Sequence, residues 1–309
     1  MEPLFFTPIP FETVWGGTSI KEYYGYDWMP DHVGQAWAFA AQPDGSNACQ
    51  NGPFAGKTLA ELWAEQPELF GDTNRAFPLI ISMLCPCDDL SIQVHPNFER
   101  ARELGYAMGK NEAWYFLEAA DDAQIVFGHN AHDEADLCSY INEGRWNDLI
   151  RHLKVRKDDF VYVPAGQLHA CGKNVIAYEV QQATNVTFRF YDYDRVDAAG
   201  NKRELHLEEA ISCLGYDPEA NTERYATSVE ASGGWVRTTL CDNDSFKIEK
   251  LQIDDDCYEL HEPTYELVSV VRGEGTVNGI PIAVGSHFLA PKDESFKIAG
   301  TLTCMMTTA

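Results

Sequence analysis

The chain has 309 residues, of which 45% are hydrophobic and 12% aromatic, enough for one large or two medium domains with a packed core. Its 48 acidic and 23 basic side chains give a formal net charge of -25. That charge would repel nucleic acids and anionic membranes, so neither is expected as a partner. An anionic substrate would need a few basic side chains inside its pocket to overcome this field.

Nine cysteines are scattered along the chain, and none forms the paired CxxC spacing of a zinc ribbon. We therefore expect reduced thiols in a cytoplasmic protein. The first residues lack the basic and apolar regions of a signal peptide, and no apolar run approaches the roughly 20 residues that span a bilayer. Neither secretion nor membrane anchoring is expected.

Hydrophobic spacing predicts short helices inserted between strands in the first part of the chain. The helices are expected over residues 58–66, 97–107, 132–154 and 205–214. Apolar runs bounded by Gly, Pro, Asn and Asp predict strands over residues 77–84, 89–95, 112–118, 123–128, 159–163, 175–181 and 185–191.

A domain boundary is predicted after the polar segment 215–233, where Gly233 and Gly234 mark a connector. It divides the chain into residues 1–233 and 234–309. Short, evenly spaced strands beyond it predict a small antiparallel barrel or jelly roll. They are expected over residues 246–253, 264–271, 274–278, 280–284 and 286–290. The fold class is therefore mainly β, with helical insertions in the N-terminal half.

Three segments carry residues that suit a divalent metal ion. Gln93 and His95 lie two apart, so on a strand both side chains point to one face. His169 follows a Pro-x-Gly turn, and Glu112 opens a strand. Imidazole, carboxylate and amide groups suit an ion with coordination positions left open for water or substrate. The alternative is that each histidine is an ordinary hydrogen-bonded strand residue.

Five segments in order resemble the short bacterial class of type I mannose-6-phosphate isomerases, which belong to the cupin superfamily. They read DDLSIQVHP (88–96), GKNEAWYFL (109–117), FGHNA (127–131), DDFVYVPAGQLHA (158–170) and RFYDYDRVDAAGNKRELHL (189–207). The resemblance implies two cupin-type jelly-roll barrels, with zinc bound in the first by His95, Glu112 and His169 and with Gln93 beside it. The second barrel lacks a counterpart of His169, so we expect it to hold no metal.

The resemblance also implies roles for basic residues. Arg189 matches the proposed catalytic arginine, and Lys110 matches a lysine at the sugar end of the pocket. Arg195 is expected to pair with Asp192 or Asp194. Two departures from the family pattern affect the predicted binding of the phosphate.

Many relatives carry a lysine where this chain has Ser82, and many read GESW where it has the segment Gly34-Gln35-Ala36-Trp37. Lys110 and Arg189 remain as candidate cations for the phosphate.

The sequence therefore predicts a metal-dependent aldose–ketose isomerase that interconverts mannose 6-phosphate and fructose 6-phosphate through a cis-enediol. One divalent ion per chain is expected, with zinc as the expected element, in a cytoplasmic monomer or homodimer. The base stays open among Lys110, Glu179 and a metal-bound water. Two alternatives are a cupin isomerase or epimerase on a different or unphosphorylated sugar, and a catalytically silent sugar-binding regulatory module.

Overall fold

The computed structural model describes residues 1–196, 200–217 and 228–309. Strands up to Tyr191 are β1 (Leu4–Phe5), β2 (Ile9–Gly17), β3 (Val33–Phe39), β4 (Ala41–Gln42), β5 (Gly45–Ser46), β6 (Leu79–Leu84), β7 (Ile92–Val94), β8 (Glu112–Ala119), β9 (Gln124–His129), β10 (Ile150–Lys154), β11 (Phe160–Val163), β12 (His169–Ala170), β13 (Val175–Gln182) and β14 (Phe188–Tyr191). The later strands are β15 (Val229–Ser232), β16 (Trp235–Asp242), β17 (Lys247–His261), β18 (Glu266–Val277), β19 (Ile280–Ala283), β20 (His287–Ala290) and β21 (Ser295–Thr308).

The helices of the described residues all lie before Leu214. They are α1 (Ser19–Tyr24), α2 (Leu59–Glu65), α3 (Phe98–Glu103), α4 (Glu134–Asn142), α5 (Trp146–Leu149) and α6 (Leu207–Cys213), with two 3-10 turns at Gly52–Phe54 and Pro67–Leu69. The predicted mainly β class with helical insertions in the N-terminal half is confirmed. The closure of each half as a jelly roll stays a prediction.

Two antiparallel sheets form the body of the N-terminal half. One has the order β11-β8-β13-β6-β3-β2 and the other the order β10-β9-β12-β7-β14. Alternate residues of β8 point to opposite faces, so Trp114 and Phe116 pack toward Ile125 of the second sheet. Tyr115 and Leu117 pack instead against the C-terminal sheet. The larger sheet is buried on both faces, which explains its nearly continuous apolar strands.

The C-terminal sheet has the order β1-β20-β18-β21-β17-β16-β15, with β19 paired to β18. Its own core contains Leu251, Val268 and Phe288. Strands β15 and β16 form a hairpin whose turn is Gly233-Gly234. The boundary expected there falls within this hairpin, and the division into residues 1–233 and 234–309 stays a prediction.

The helix predicted over residues 132–154 is wrong over its last five residues, 150–154. The segment 132–154 forms α4 and α5 and then continues as β10, because Gly144 has a left-handed φ of 66° and residues 150–154 pair with β9. Strands β2, β3, β16 and β21 were not predicted either. In β2 and β3, polar residues alternate poorly with apolar ones, so periodicity gave little signal there.

The nine cysteines all lie within the described ranges and are free thiols. Among the described residues, the longest apolar helix stays too short to cross a bilayer.

Candidate active site

A cavity of about 460 Å³ opens between the two N-terminal sheets. Strands β7 and β14 supply one wall, and β3, β8 and β13 supply the facing wall. The polar side chains that line it include Gln35, Ser91, Gln93, Lys110, Glu112, Glu179, Gln181, Arg189 and Arg203. The sandwich therefore directs polar groups from both sheets into one space.

His95, Glu112 and His169 converge at this cavity. His95 follows β7, Glu112 begins β8 and His169 begins β12, so the three residues come from both sheets. Each is at most 1% exposed, and one potential ligand atom from each lies within 4.8 Å of the others. The structure thus brings together three residues that are distant in sequence.

The hydrogen bonds of the two imidazoles leave their Nε2 atoms directed at the carboxylate. Nδ1 of His95 lies 2.8 Å from the carbonyl of Val186, and Nδ1 of His169 lies 2.8 Å from the carbonyl of Gln167. A carbonyl only accepts, so both Nδ1 atoms carry the proton and a neutral ring presents a bare Nε2. These Nε2 atoms lie 3.2 and 3.3 Å from the two oxygens of Glu112.

Acceptor atoms that face one another at this distance repel unless a cation lies between them. Nε2 of His95 and Oε2 of Glu112 are buried, and neither has a hydrogen-bond partner. Within ion-pair distance, Nε2 of His95 faces Oε1 of Glu112, and Oε2 of Glu112 faces Nε2 of His169. Two imidazoles and one carboxylate are a donor set that divalent transition metals prefer. The residues therefore fit a divalent ion.

The protonation states agree with this fit. Burial lowers the pKa of His95 to about 4 against the opposing effect of Glu112, so the ring is neutral near pH 7. Burial alone would raise the pKa of Glu112, but Lys110 and the imidazoles outweigh it and hold that pKa well below its usual range. The cluster thus presents a neutral imidazole at His95 and an ionised carboxylate at Glu112.

Gln93 and Lys110 lie next to this cluster. Nε2 of Gln93 is 3.5 Å from Nε2 of His169, and the two residues are paired across β7 and β12. Nζ of Lys110 lies 2.9 Å from Oε1 of Glu112, and the residue is 7% exposed. Lys110, expected at the sugar end of the pocket, therefore contacts the carboxylate of the metal-ligand cluster.

Arg189 lies one strand beyond Gln93. The two residues are paired across β14 and β7, and both line the cavity. Nη1 of Arg189 donates to the carbonyl of Glu204 at 2.7 Å, while its buried Nε has no hydrogen-bond partner. The expected pairing of Arg195 with Asp192 is also present, at 2.5 Å.

Glu179 forms a second buried carboxylate site on the facing sheet. Its Oε2 accepts hydrogen bonds from Ser82, Gln35 and Gln181, and its Oε1 accepts one from the indole of Trp114. Burial and the nearby carboxylate of Glu112 raise its pKa, against the opposing effects of Lys110 and two of the donors. The two sequence departures, Ser82 and Gln35, therefore both contact Glu179.

Gln181 and Arg203 are among the cavity residues that were not identified from the sequence. Gln181 lies two residues after Glu179 on β13, so strand alternation places both on the same face and could have indicated it. Arg203 lies in the long motif 189–207 but outside any strand or helix, so no periodicity marked it.

Comparison with known proteins gives this arrangement a family. Residues 7–124 match the model of the type I phosphomannose isomerase catalytic domain. Mannose-6-phosphate isomerase ManA of Bacillus subtilis is 39% identical over 314 residues, covering 99% of this chain and 98% of the relative. The chain belongs to the type I phosphomannose isomerase family.

Other type I phosphomannose isomerase relatives agree with this assignment. A mannose-6-phosphate isomerase of Streptococcus mutans is 36% identical over 97% of this chain and 96% of its own length. The crystal structure of the mannose 6-phosphate isomerase from Bacillus subtilis superposes with a TM-score of 0.95 at 35% identity and covers both chains completely. A phosphomannose isomerase from Salmonella typhimurium, 14% identical with a TM-score of 0.76, shares the fold. Family membership and the His-Glu-His cluster together indicate a single divalent-metal site.

Proposed function

We propose that the protein is a metal-dependent aldose–ketose isomerase that interconverts mannose 6-phosphate and fructose 6-phosphate through a cis-enediol. The observation that carries this proposal is the buried convergence of His95, Glu112 and His169 beside a polar cavity. Support comes from relatives of 35–39% identity over the whole chain that are named mannose-6-phosphate isomerases.

The proposed cofactor is one zinc ion per chain, ligated by His95, Glu112 and His169, with the amide of Gln93 as a further ligand. When bound, such an ion supplies Lewis-acid stabilisation of the negative charge that develops on the substrate oxygens. The hydrogen bonds from Nδ1 of His95 and His169 to backbone carbonyls hold each ring in the ligating orientation.

Arg189 and Lys110 are the proposed catalytic residues. Arg189 is half-buried beside Gln93 and carries a fixed positive charge at the cavity wall, which would favour an enediolate over the neutral sugar. Lys110 holds its ammonium group at Glu112 and orients that carboxylate. Both residues therefore act where charge develops.

Proton exchange between C1 and C2 needs a group that changes protonation state inside the cavity. Lys110 and Glu179 both line it. Glu179 has a raised pKa, which brings a carboxylate closer to the pH at which it can both accept and return a proton. Four neutral donors fix its orientation.

We further propose that residues 1–233 hold the metal and that residues 234–309 form a small cupin-like barrel without one. The proposed setting is the cytoplasm, where a monomer or homodimer would act on a small sugar phosphate.

Metal analysis and a coupled isomerase assay on the same preparation test the function. We expect close to one zinc per chain and turnover of mannose 6-phosphate well above that of mannose. His169→Ala should lose the metal and the activity, whereas the control His132→Ala removes an exposed histidine outside the cluster and should keep both. A metal-loaded wild type that turns over neither sugar would contradict an isomerase, and equal turnover of both would contradict the phosphosugar.

A further inference from the structure

Positive charge is distributed unequally along the cavity. Three cations line it: Lys110, Arg189 and Arg203. The ammonium of Lys110 is paired with Glu112 at the metal-ligand cluster. Only the two arginines therefore bring positive charge to the part of the described cavity away from that cluster.

The strand order sets the sequence of these groups across the sheet. His169 pairs with Gln93, and Gln93 pairs with Arg189, so Arg189 lies two strands from the metal ligand, about 10 Å at the usual strand spacing. The backbone N–H of Arg189 donates to Nδ1 of His206, and the carbonyl of Arg189 accepts from the backbone N–H of His206. His206 therefore lies on the side of β14 away from β7. Arg203, three residues earlier, belongs to this outermost segment.

A shared carboxylate holds Arg203 in place. Nε and Nη2 of Arg203 donate to the two oxygens of Asp192 at 2.7 and 2.5 Å, which leaves Nη1 outside the pair. Arg195 also donates to Asp192, which is 4% exposed. One carboxylate thus faces two guanidinium groups, and Arg189 adds a third nearby. Arg195 also pairs with Asp88, so Arg189 and Arg203 are the members of this cluster that bring positive charge to the cavity wall, in a chain whose net charge is -25.

We propose that Arg203, oriented by Asp192, binds the phosphate of the sugar substrate at the cavity end opposite the metal ligands. This inference rests on the proposed isomerase function. If C1 and C2 of the sugar lie at the metal-ligand cluster, the phosphate on C6 would lie at the far end of the carbon chain. A planar guanidinium suits a phosphate there because it can donate several charge-assisted hydrogen bonds.

Steady-state kinetics on Arg203→Gln and Arg203→Lys test this assignment. Arg203→Gln should raise KM for mannose 6-phosphate, and Ki for inorganic phosphate, on the order of 10- to 100-fold with little change in kcat. Arg203→Lys should recover part of the loss because it keeps the charge. The matched control Lys202→Gln removes the neighbouring positive charge, which pairs with exposed Asp194, and should leave both constants nearly unchanged.

Two results would overturn the assignment. If Arg203 only braces Asp192, Arg203→Gln should lower Tm while KM and Ki stay at wild-type values. If Lys202→Gln weakens binding equally, the effect is one of overall charge. If the wild type does not isomerise mannose 6-phosphate, the proposed function is wrong, but the assignment of Arg203 is still open to test. Calorimetric titration of the wild type and Arg203→Gln with inorganic phosphate then decides the inference, and absent or equal binding would refute it.

Discussion

The hydroxyl of Ser82 donates to Oε2 of Glu179 at 2.5 Å, deep in the cavity between the two sheets. The same oxygen accepts from the amides of Gln35 and Gln181. At the position where the family resemblance implies a lysine, this chain thus offers Glu179 a neutral donor. Burial and the carboxylate of Glu112 raise the pKa of Glu179 above its ordinary value, and a neutral donor offsets this rise less than an ammonium would.

Ser82→Ala should therefore move the acidic limb of the pH profile of kcat. Losing a donor to the ionised form raises the pKa of Glu179, so a higher pH is needed to ionise it and activity falls earlier on acidification, by about one pH unit. The measurement is kcat between pH 5 and 8. Ser91→Ala, another cavity serine, serves as the control and should leave the limb in place. An unshifted limb in Ser82→Ala would exclude Glu179 as the titrating group.

Arg189→Ala should reduce kcat on the order of 100- to 1000-fold while zinc content stays near that of the wild type. A fixed cation beside the enediolate acts only when negative charge develops, so the loss concentrates in turnover. Arg195→Ala is the control, because Arg195, which pairs with Asp192, carries a nearby positive charge but does not line the cavity. A normal kcat with a lowered Tm in Arg189→Ala would assign the arginine a purely structural role.

Local pattern predicted several strands that line the site, among them β7, β8 and β13, but it missed β3 and predicted a helix where β10 lies. The predicted strand 112–118 forms β8, because its side chains pack alternately into two different hydrophobic cores on opposite faces of the sheet. Residues 150–154 have the hydrophobic spacing of a helix in the sequence, but they form a strand because they pair with β9. That pairing depends on contacts across the sheet, which periodicity along one segment does not contain.

The resemblance to a family indicated the metal ligands, and spacing on a strand indicated Gln93 and His95. The hydrogen bonds around Glu179 could not be predicted, because Ser82 and Glu179 are 97 residues apart and meet only through the pairing of β6 and β13. Arg203 was missed for the same reason: only the folded chain brings it to Asp192 and to the cavity.

Tyr26→Phe should destabilise the protein by about 1–3 kcal/mol. The Tyr26 hydroxyl donates to the carbonyl of Gly285 at 2.7 Å and lies 2.9 Å from Nε2 of His287, which is 1% exposed. The phenylalanine variant removes the partner of the part-buried Gly285 carbonyl and of Nε2 of buried His287, whose Nδ1 keeps its contact with Ser269. Tyr23→Phe removes a longer, part-buried bond to Val271 and should cost less. Thermal unfolding at pH 7.5 measures both variants, and equal Tm values would contradict the assigned cost.

Glu266→Gln should change how stability depends on pH. Glu266 is 2% exposed on β18, and burial, with the carboxylates of Glu249 and Glu262, raises its pKa to about 8 against the opposing effects of Lys247 and Arg237. The folded chain therefore holds a proton that the unfolded chain releases near pH 4.5. This contribution to stability is complete below that pH and is lost as the pH rises toward 8.

Across that interval Glu266 should lower the free energy of unfolding by about 1.4 kcal/mol per pH unit, and the glutamine variant should lack this slope. Denaturant titrations at pH 5.5 and 8 compare the two chains, and Glu266→Gln should gain relative stability at the higher pH. Glu249→Gln should instead destabilise the fold at both pH values, because Arg237 and Lys247 hold the pKa of Glu249 below its usual value against burial and its ionised form stabilises the fold throughout this range. The same slope in wild type and Glu266→Gln would show that the carboxyl at position 266 is already ionised in the folded protein.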